Sequence, residues 1–267
     1  MLRGVTLLWE LQKAAIRSEL QYRLNFAFLA LLGVLYQASG IAFVWVVLRR
    51  FDSIAGWTFG EVALLYAMRM LAHALWVVPF HQLAMLDTII REGRFDRYLV
   101  RPLNPLLQII TTRFRLNVLG DLAAAVALLV IALSQVDVEA TVPHVVYFVL
   151  AVVGGALAEG AVVIAVSSLA FRFIETWAAT HLVDNVFLLF GSYPTRLFGT
   201  AANWALTWLL PIAFVAYVPS SLLLDRTDEL TVPPVVAWLA PVVGMLWFTA
   251  AYRFWRRQIR GYQSVGN

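Results

Sequence analysis

The sequence predicts an all-α membrane protein of six transmembrane helices. Three observations carry that expectation. The 267 residues are 61% hydrophobic and only 13% charged, whereas a soluble domain carries about a quarter charged residues. Several windows of about 20 residues lack fixed charge, the length a helix needs to cross roughly 30 Å of hydrocarbon. The basic residues gather at the ends of those windows, where membrane topology places them. That clustering argues against nucleic acid as the partner of this chain, despite its net charge of +4 and pI ≈ 9.6. There is no cysteine, so disulfides and thiolate chemistry are excluded.

Residues 2–23 are expected to form an amphipathic helix. Arg3, Glu10, Lys13 and Arg17 share one face, and Val5, Leu8, Trp9, Leu11, Ala15, Ile16 and Leu20 cover most of the rest. Such a helix lies in the headgroup plane with its charges toward water. The same alternation lacks the short apolar run of a cleavable signal peptide. Span 1 follows at 25–48, interrupted by Gln37 and Ser39, and span 2 at 57–80 carries Arg69 and His73. The stretch 89–105 is a charged, proline-punctuated island that cannot cross a bilayer. Span 3 covers 116–134 and an acidic loop with Asp137 and Glu139 follows it. Span 4, 145–170, holds Gly154, Gly155, Ala156, Ala158, Gly160 and Ala161. Small residues of that kind let helices approach closely in lipid. A turn with Arg172 and Glu175 leads to span 5, 178–198, which carries Asp184. Residues 201–219 are apolar but broken at Pro211 and closed at Pro219; span 6 runs 232–254, and a basic tail ends the chain.

The distribution of basic residues sets the orientation. Fifteen fall in the N-terminal helix, the island as far as Arg115, the Arg172 turn and the tail; the opposite loops hold only Arg49, Arg50, Arg196 and Arg226. Positive-inside asymmetry places both termini and the island in the cytosol, in a multi-pass protein of the inner or plasma membrane. If 201–219 crossed completely, the basic tail would lie outside. A re-entrant helical hairpin dipping in from the outer face and turning near Pro211 keeps six spans. Its turn is tolerable only when buried in protein or lining a cavity.

The motifs of enzymatic chemistry are missing. No glycine-rich run precedes Lys13, the single lysine, so phosphates cannot be held in the P-loop manner. His73, His81, His144 and His181 are scattered, and no metal site or catalytic residue is expected. Gln37, Arg69 and Glu159 fall near the middle of their spans, and Asp184 lies nearer the cytosolic side. Central ionised residues usually face the bundle interior and pair, so Arg69 is expected to meet Glu159. Two readings stand: the pair holds helices together, or, with Gln37 and Asp184, it lines a translocation path.

The island and the apolar hairpin resemble two stretches of ABC-2 type permeases. Ile90 and then Arg91-Glu92-Gly93-Arg94-Phe95-Asp96-Arg97-Tyr98-Leu99-Val100-Arg101-Pro102-Leu103-Asn104-Pro105 follow the pattern I-x-x-G-x-x-x-x-x-L-x-R-P-x-x-P. Leu206-Thr207, Pro211, Ala213-Phe214, Tyr217 and Pro219 follow a second pattern, with Tyr193-Pro194 before it. The resemblance covers nearly the whole chain and implies one transmembrane domain over 1–267. It implies that this subunit carries no ATPase and that ATP and Mg are bound by a separate ATP-binding subunit. That partner would dock on the loop 86–106 through Arg91, Glu92, Gly93, Arg94, Asp96, Arg97, Arg101 and Pro102. The same arginines would also serve as topology determinants alone. A second permease subunit, identical or related, would complete the pathway, and the hairpin with Tyr193, Pro194, Pro211 and Pro219 would gate it. The implied activity is export of an amphipathic or hydrophobic substrate. A self-contained channel or ion-coupled carrier using Arg69, Glu159 and Asp184 is the alternative; a membrane enzyme lacks any motif.

Overall fold

A computed structural model describes residues 13, 23–50, 53–111, 118–173 and 175–264. The expected interfacial helix therefore lies outside the described residues, apart from Lys13 and Arg23. Among the described residues the fold is helical throughout, with a single isolated bridge between Ile54 and Trp57.

Helix α1, Arg23–Arg50, covers span 1. Helix α2, Phe59–Phe80, begins where Glu61 reaches back to accept from the Thr58 backbone N–H at 2.7 Å. Pro79 near its end lacks a backbone donor and weakens the helical ladder. There the chain tightens into a 3-10 turn, His81–Met85, before continuing as α3, Leu86–Arg91. Two short helices complete the island, α4 at Asp96–Leu99 and α5 at Pro105–Ile110. Then come α6, Val118–Leu133, and α7, Val142–Ser167, which ends in the 3-10 turn Ser168–Phe171.

Helix α8, Trp177–Phe190, is shorter than the expected span 5, because the chain breaks at Gly191 and re-forms only as the 3-10 turn Thr195–Phe198. Where a re-entrant hairpin is expected, the chain runs as a helix, a break and a helix. α9, Gly199–Trp204, runs into a π-turn, Ala205–Leu209; Leu210 is extended, and α10 is Tyr217–Leu223. The break falls at Pro211 as expected. Pro219 does not close the segment: it sits third in α10, within the first turn, where a backbone N–H has no intrahelical partner to lose. Residues 211–223 are all buried. The last span is also in two pieces, α11 at Pro234–Trp238 and α12 at Ala240–Ile259.

Among the described residues, two helical stretches are long and apolar enough to cross a membrane, Phe59–Arg91 and Val142–Phe171; Val118–Leu133 and Trp177–Phe190 are shorter apolar helices. The small residues of α7 set how tightly the bundle closes. A Cβ on Gly154 would lie 2.5 Å from Cα of Pro241, and one on Gly244 would lie 2.0 Å from the Gly154 carbonyl oxygen. One residue along, a Cβ on Gly155 would lie 2.7 Å from the Val215 carbonyl in the hairpin turn. On the α2 side, a Cβ on Gly160 would lie 3.2 Å from the Trp76 ring. α7 is thus the central post, with α12, the hairpin and α2 each seated on a different glycine.

Candidate functional site

The island is a folded object. Gly93, with φ of +66°, ends α3. Its N–H donates to the Ile90 carbonyl at 2.9 Å and that of Arg94 to Ile89 at 3.0 Å, the paired bonds of a glycine-terminated helix. The turn drives Phe95 inward to complete burial. There its ring meets Phe171 at 4.9 Å and Tyr262 at 5.0 Å, both edge-on, and Phe171 in turn meets Trp255 at 5.0 Å. Gln108 donates to the carbonyls of Tyr98 and Leu103, at 2.8 and 3.0 Å, and staples the return loop. Asn104 caps α5 by accepting from the Leu106 N–H, with Pro105 in the first helical position.

These anchors sort the expected docking residues. Arg91, Glu92, Arg97, Arg101 and Pro102 are exposed, together with Leu99 and Val100. Arg94 is half-buried and pairs with Glu92 at 2.5 Å. Gly93 serves the turn. Asp96 is half-buried and accepts from the Tyr262 hydroxyl at 2.9 Å and the Ser264 hydroxyl at 2.6 Å, so it also tethers the C-terminal segment. Desolvation, and then the hydrogen bond and charge of Asp96, push the Tyr262 phenol up to about 12.

The intramembrane charges converge between α2 and α7. Glu159 is fully buried, and its Oε1 lies 4.0 Å from Arg69 Nη2 and 2.5 Å from His73 Nδ1. The expected Arg69–Glu159 approach exists, and His73 is the nearer partner. A sequence signal for it was available: Arg69 and His73 are four apart on one helix and so share a face. Glu159 Oε2 and Arg69 Nε, both buried, have no hydrogen-bond partner among the described residues. Asp184, half-buried on α8, lies within electrostatic reach of His73, Glu159, His181 and Arg69. Gln37 falls on α1, and its side chain lies outside the described residues.

At the start of α2 ion pairs hold the segment that follows α10. Arg226 donates from Nε to Glu61 Oε1 and from Nη1 to Glu229 Oε1, each at 2.8 Å, and from Nη2 to the Gly56 carbonyl at 2.9 Å. Glu229 Oε2 accepts from the buried Trp57 indole N–H at 3.0 Å and pairs with Arg196 at 3.0 Å. Burial alone would raise the Glu229 carboxyl; the Trp57 and Arg196 hydrogen bonds and the two guanidinium charges outweigh it and hold it below its ordinary value. Tyr193 packs against the core containing Phe214 and Tyr217, and Pro194 and Pro211 are buried.

A family model described as "ABC-2 family transporter protein" matches residues 34–266. The chain belongs to the ABC-2 transporter family. It is a membrane permease of an ABC transporter and an integral membrane protein. No curated protein and no solved structure matches it.

In this ABC-2 permease, sequence reasoning overlooked one further residue beside the island. Asp87 is 1% exposed. Its Oδ2 accepts from the backbone N–H groups of Thr176 and Trp177, at 3.2 and 3.0 Å, across the bundle. A lone acid in Leu86-Asp87-Thr88, at the end of an apolar segment, was the only signal.

Proposed function

We propose that this permease subunit moves an amphipathic or hydrophobic substrate outward, driven by a separate ATP-binding subunit that docks on 86–106. One observation carries the reading: a buried Phe95 anchors a loop whose outward surface is Arg91, Glu92, Arg97, Leu99, Val100 and Arg101. Apolar side chains framed by arginines suit a protein partner. A topology signal alone needs positive charge, but no aromatic cage, staple or cap.

Six spans, cytosolic termini and a hairpin re-entrant from the outer face remain the arrangement we favour. Exposed tryptophans support a bilayer boundary at each end of the bundle: Trp177 beside the island, and Trp204, Trp208 and Trp238 toward the far end. Such residues favour the headgroup zone. A second permease copy would meet the exposed apolar faces of α1 and α8. The hairpin would act as the outer gate.

The test is reconstitution with the ATP-binding subunit. Reversing charge at Arg94→Glu and Arg97→Glu is expected to abolish co-purification of that subunit and the stimulation of its ATPase by lipids or cationic amphiphiles. Undiminished stimulation would count against docking at the island. Full transport by the purified permease without ATP would favour a self-contained carrier built on Arg69, Glu159 and Asp184.

A further inference from the structure

Helix α8 has an unusual hold on the bundle. Its N-cap residue, Thr176, makes no side-chain cap, and within its 14 residues only Thr180 and Phe187 are buried. The first backbone N–H groups of any helix lack intrahelical acceptors. For α8, two such groups at its start are satisfied from a different part of the chain. Asp87 Oδ2 accepts from Thr176 N–H and Trp177 N–H, while Oδ1 accepts from the adjoining Thr88 N–H at 2.6 Å. The carboxylate also faces the positive end of the helix dipole. Arg91, one turn further along α3, pairs with Glu175 at 3.3 Å and adds a second link at the same junction. At the opposite end of α8, a Cβ on Gly191 would lie 3.6 Å from Cγ of Arg69, the residue that faces Glu159. One end of the helix is therefore held by the island and the other abuts the buried charge cluster.

We propose that Asp87 is a positioning residue that makes the start of α8 follow the island, so that displacement of the loop by the ATP-binding subunit is carried along α8 toward Arg69. This inference rests on the proposed docking. Asp87 is buried, so the ATP-binding subunit would meet the exposed arginines of the loop and not this carboxylate. An internal cap from Thr176 would have let α8 start independently of the loop; a cap supplied from 89 residues earlier makes its position conditional on that loop.

The absence of cysteine makes the test clean. A thiol placed on the exposed face of α8 by N185C is labelled with a maleimide in vesicles containing the permease and its ATP-binding subunit. Labelling rates are compared without nucleotide and after trapping with ATP, Mg2+ and vanadate. The parent should show at least a threefold difference between the two states. In D87A that ratio should collapse to about one while the ATPase rate and complex yield stay within about twofold. D87N, which keeps an acceptor oxygen, should be intermediate, and E175A, at an exposed position, should lower the ratio partially. If D87A fails to assemble, D87N and E175A decide: parental ratios in both would overturn the inference. So would a D87A complex that assembles and responds like the parent. A parent whose labelling ignores ATP would remove the docking model itself, a result distinguishable from either.

Discussion

The two ends of the stretch from α2 to α3 are held by opposite kinds of chemistry. Phe59–Arg91 covers 33 residues, with the ion-pair clasp at its start and the island at its finish. The island is fixed by a buried ring, backbone caps and side-chain staples. The clasp is fixed by two arginines shared among two carboxylates and a carbonyl, partly open to water. Packing of the first kind is close to all-or-none, because a cavity cannot be refilled. Ion pairs at partly exposed sites are weaker, screened by salt and easily exchanged. Under the proposed function this asymmetry would give a stiff end that receives force and a releasable end that lets substrate out.

The largest expected effect comes from breaking the stiff end. Phe95→Ala removes a fully buried ring contacted by Phe171 and Tyr262, and should cost about 3–5 kcal/mol. Thermal unfolding of the purified chain should show it, with early protease cleavage in 86–110; an unchanged melting temperature would mean the cage carries little load. At the clasp, Arg226→Ala leaves Glu61 and Glu229 facing each other with their main partner gone. The expected loss is about 1–2 kcal/mol, after discounting for partial exposure. It should shrink in high salt, whereas the Phe95→Ala loss should not.

The smallest effect is a pH response confined to the clasp. The folded-state carboxyl of Glu229 is depressed below 4.5, so its stabilisation is present above that value and is lost as pH falls through the lower folded value. Acidification below pH 4.5 should therefore loosen the Trp57–Glu229 bond while the aromatic cage holds. Indole fluorescence, taken as the difference between parent and Trp57→Phe, should change in that window and not in Glu229→Gln. An identical change in Glu229→Gln would assign the response to another group.

How much was readable in advance differs between these regions for physical reasons. Gly93, Asn104 and Pro105 act within a few residues of their own position, so the island's turn and cap are encoded locally. The glycines of α7 announced close packing, because the space a missing side chain leaves can be entered by a neighbouring helix. The clasp was not readable: Arg226 and Glu61 are 165 residues apart, and Arg226 looked like one of four stray outer arginines. Asp87 was hidden for the same reason. Pro219 was misjudged as a terminator because the first turn of a helix, which tolerates proline, cannot be distinguished by composition from the end of one.

By itself, the order of residues determined that the chain is a helical membrane protein with a basic island and a broken apolar segment, since hydropathy, charge placement and glycine spacing act along the chain. Only the tertiary structure decided which polar groups meet: His73 with Glu159, Asp87 with the start of α8, Arg226 with Glu61. Hydrogen bonds and ion pairs act over a few ångströms, and which distant residues come that close depends on how the helices pack.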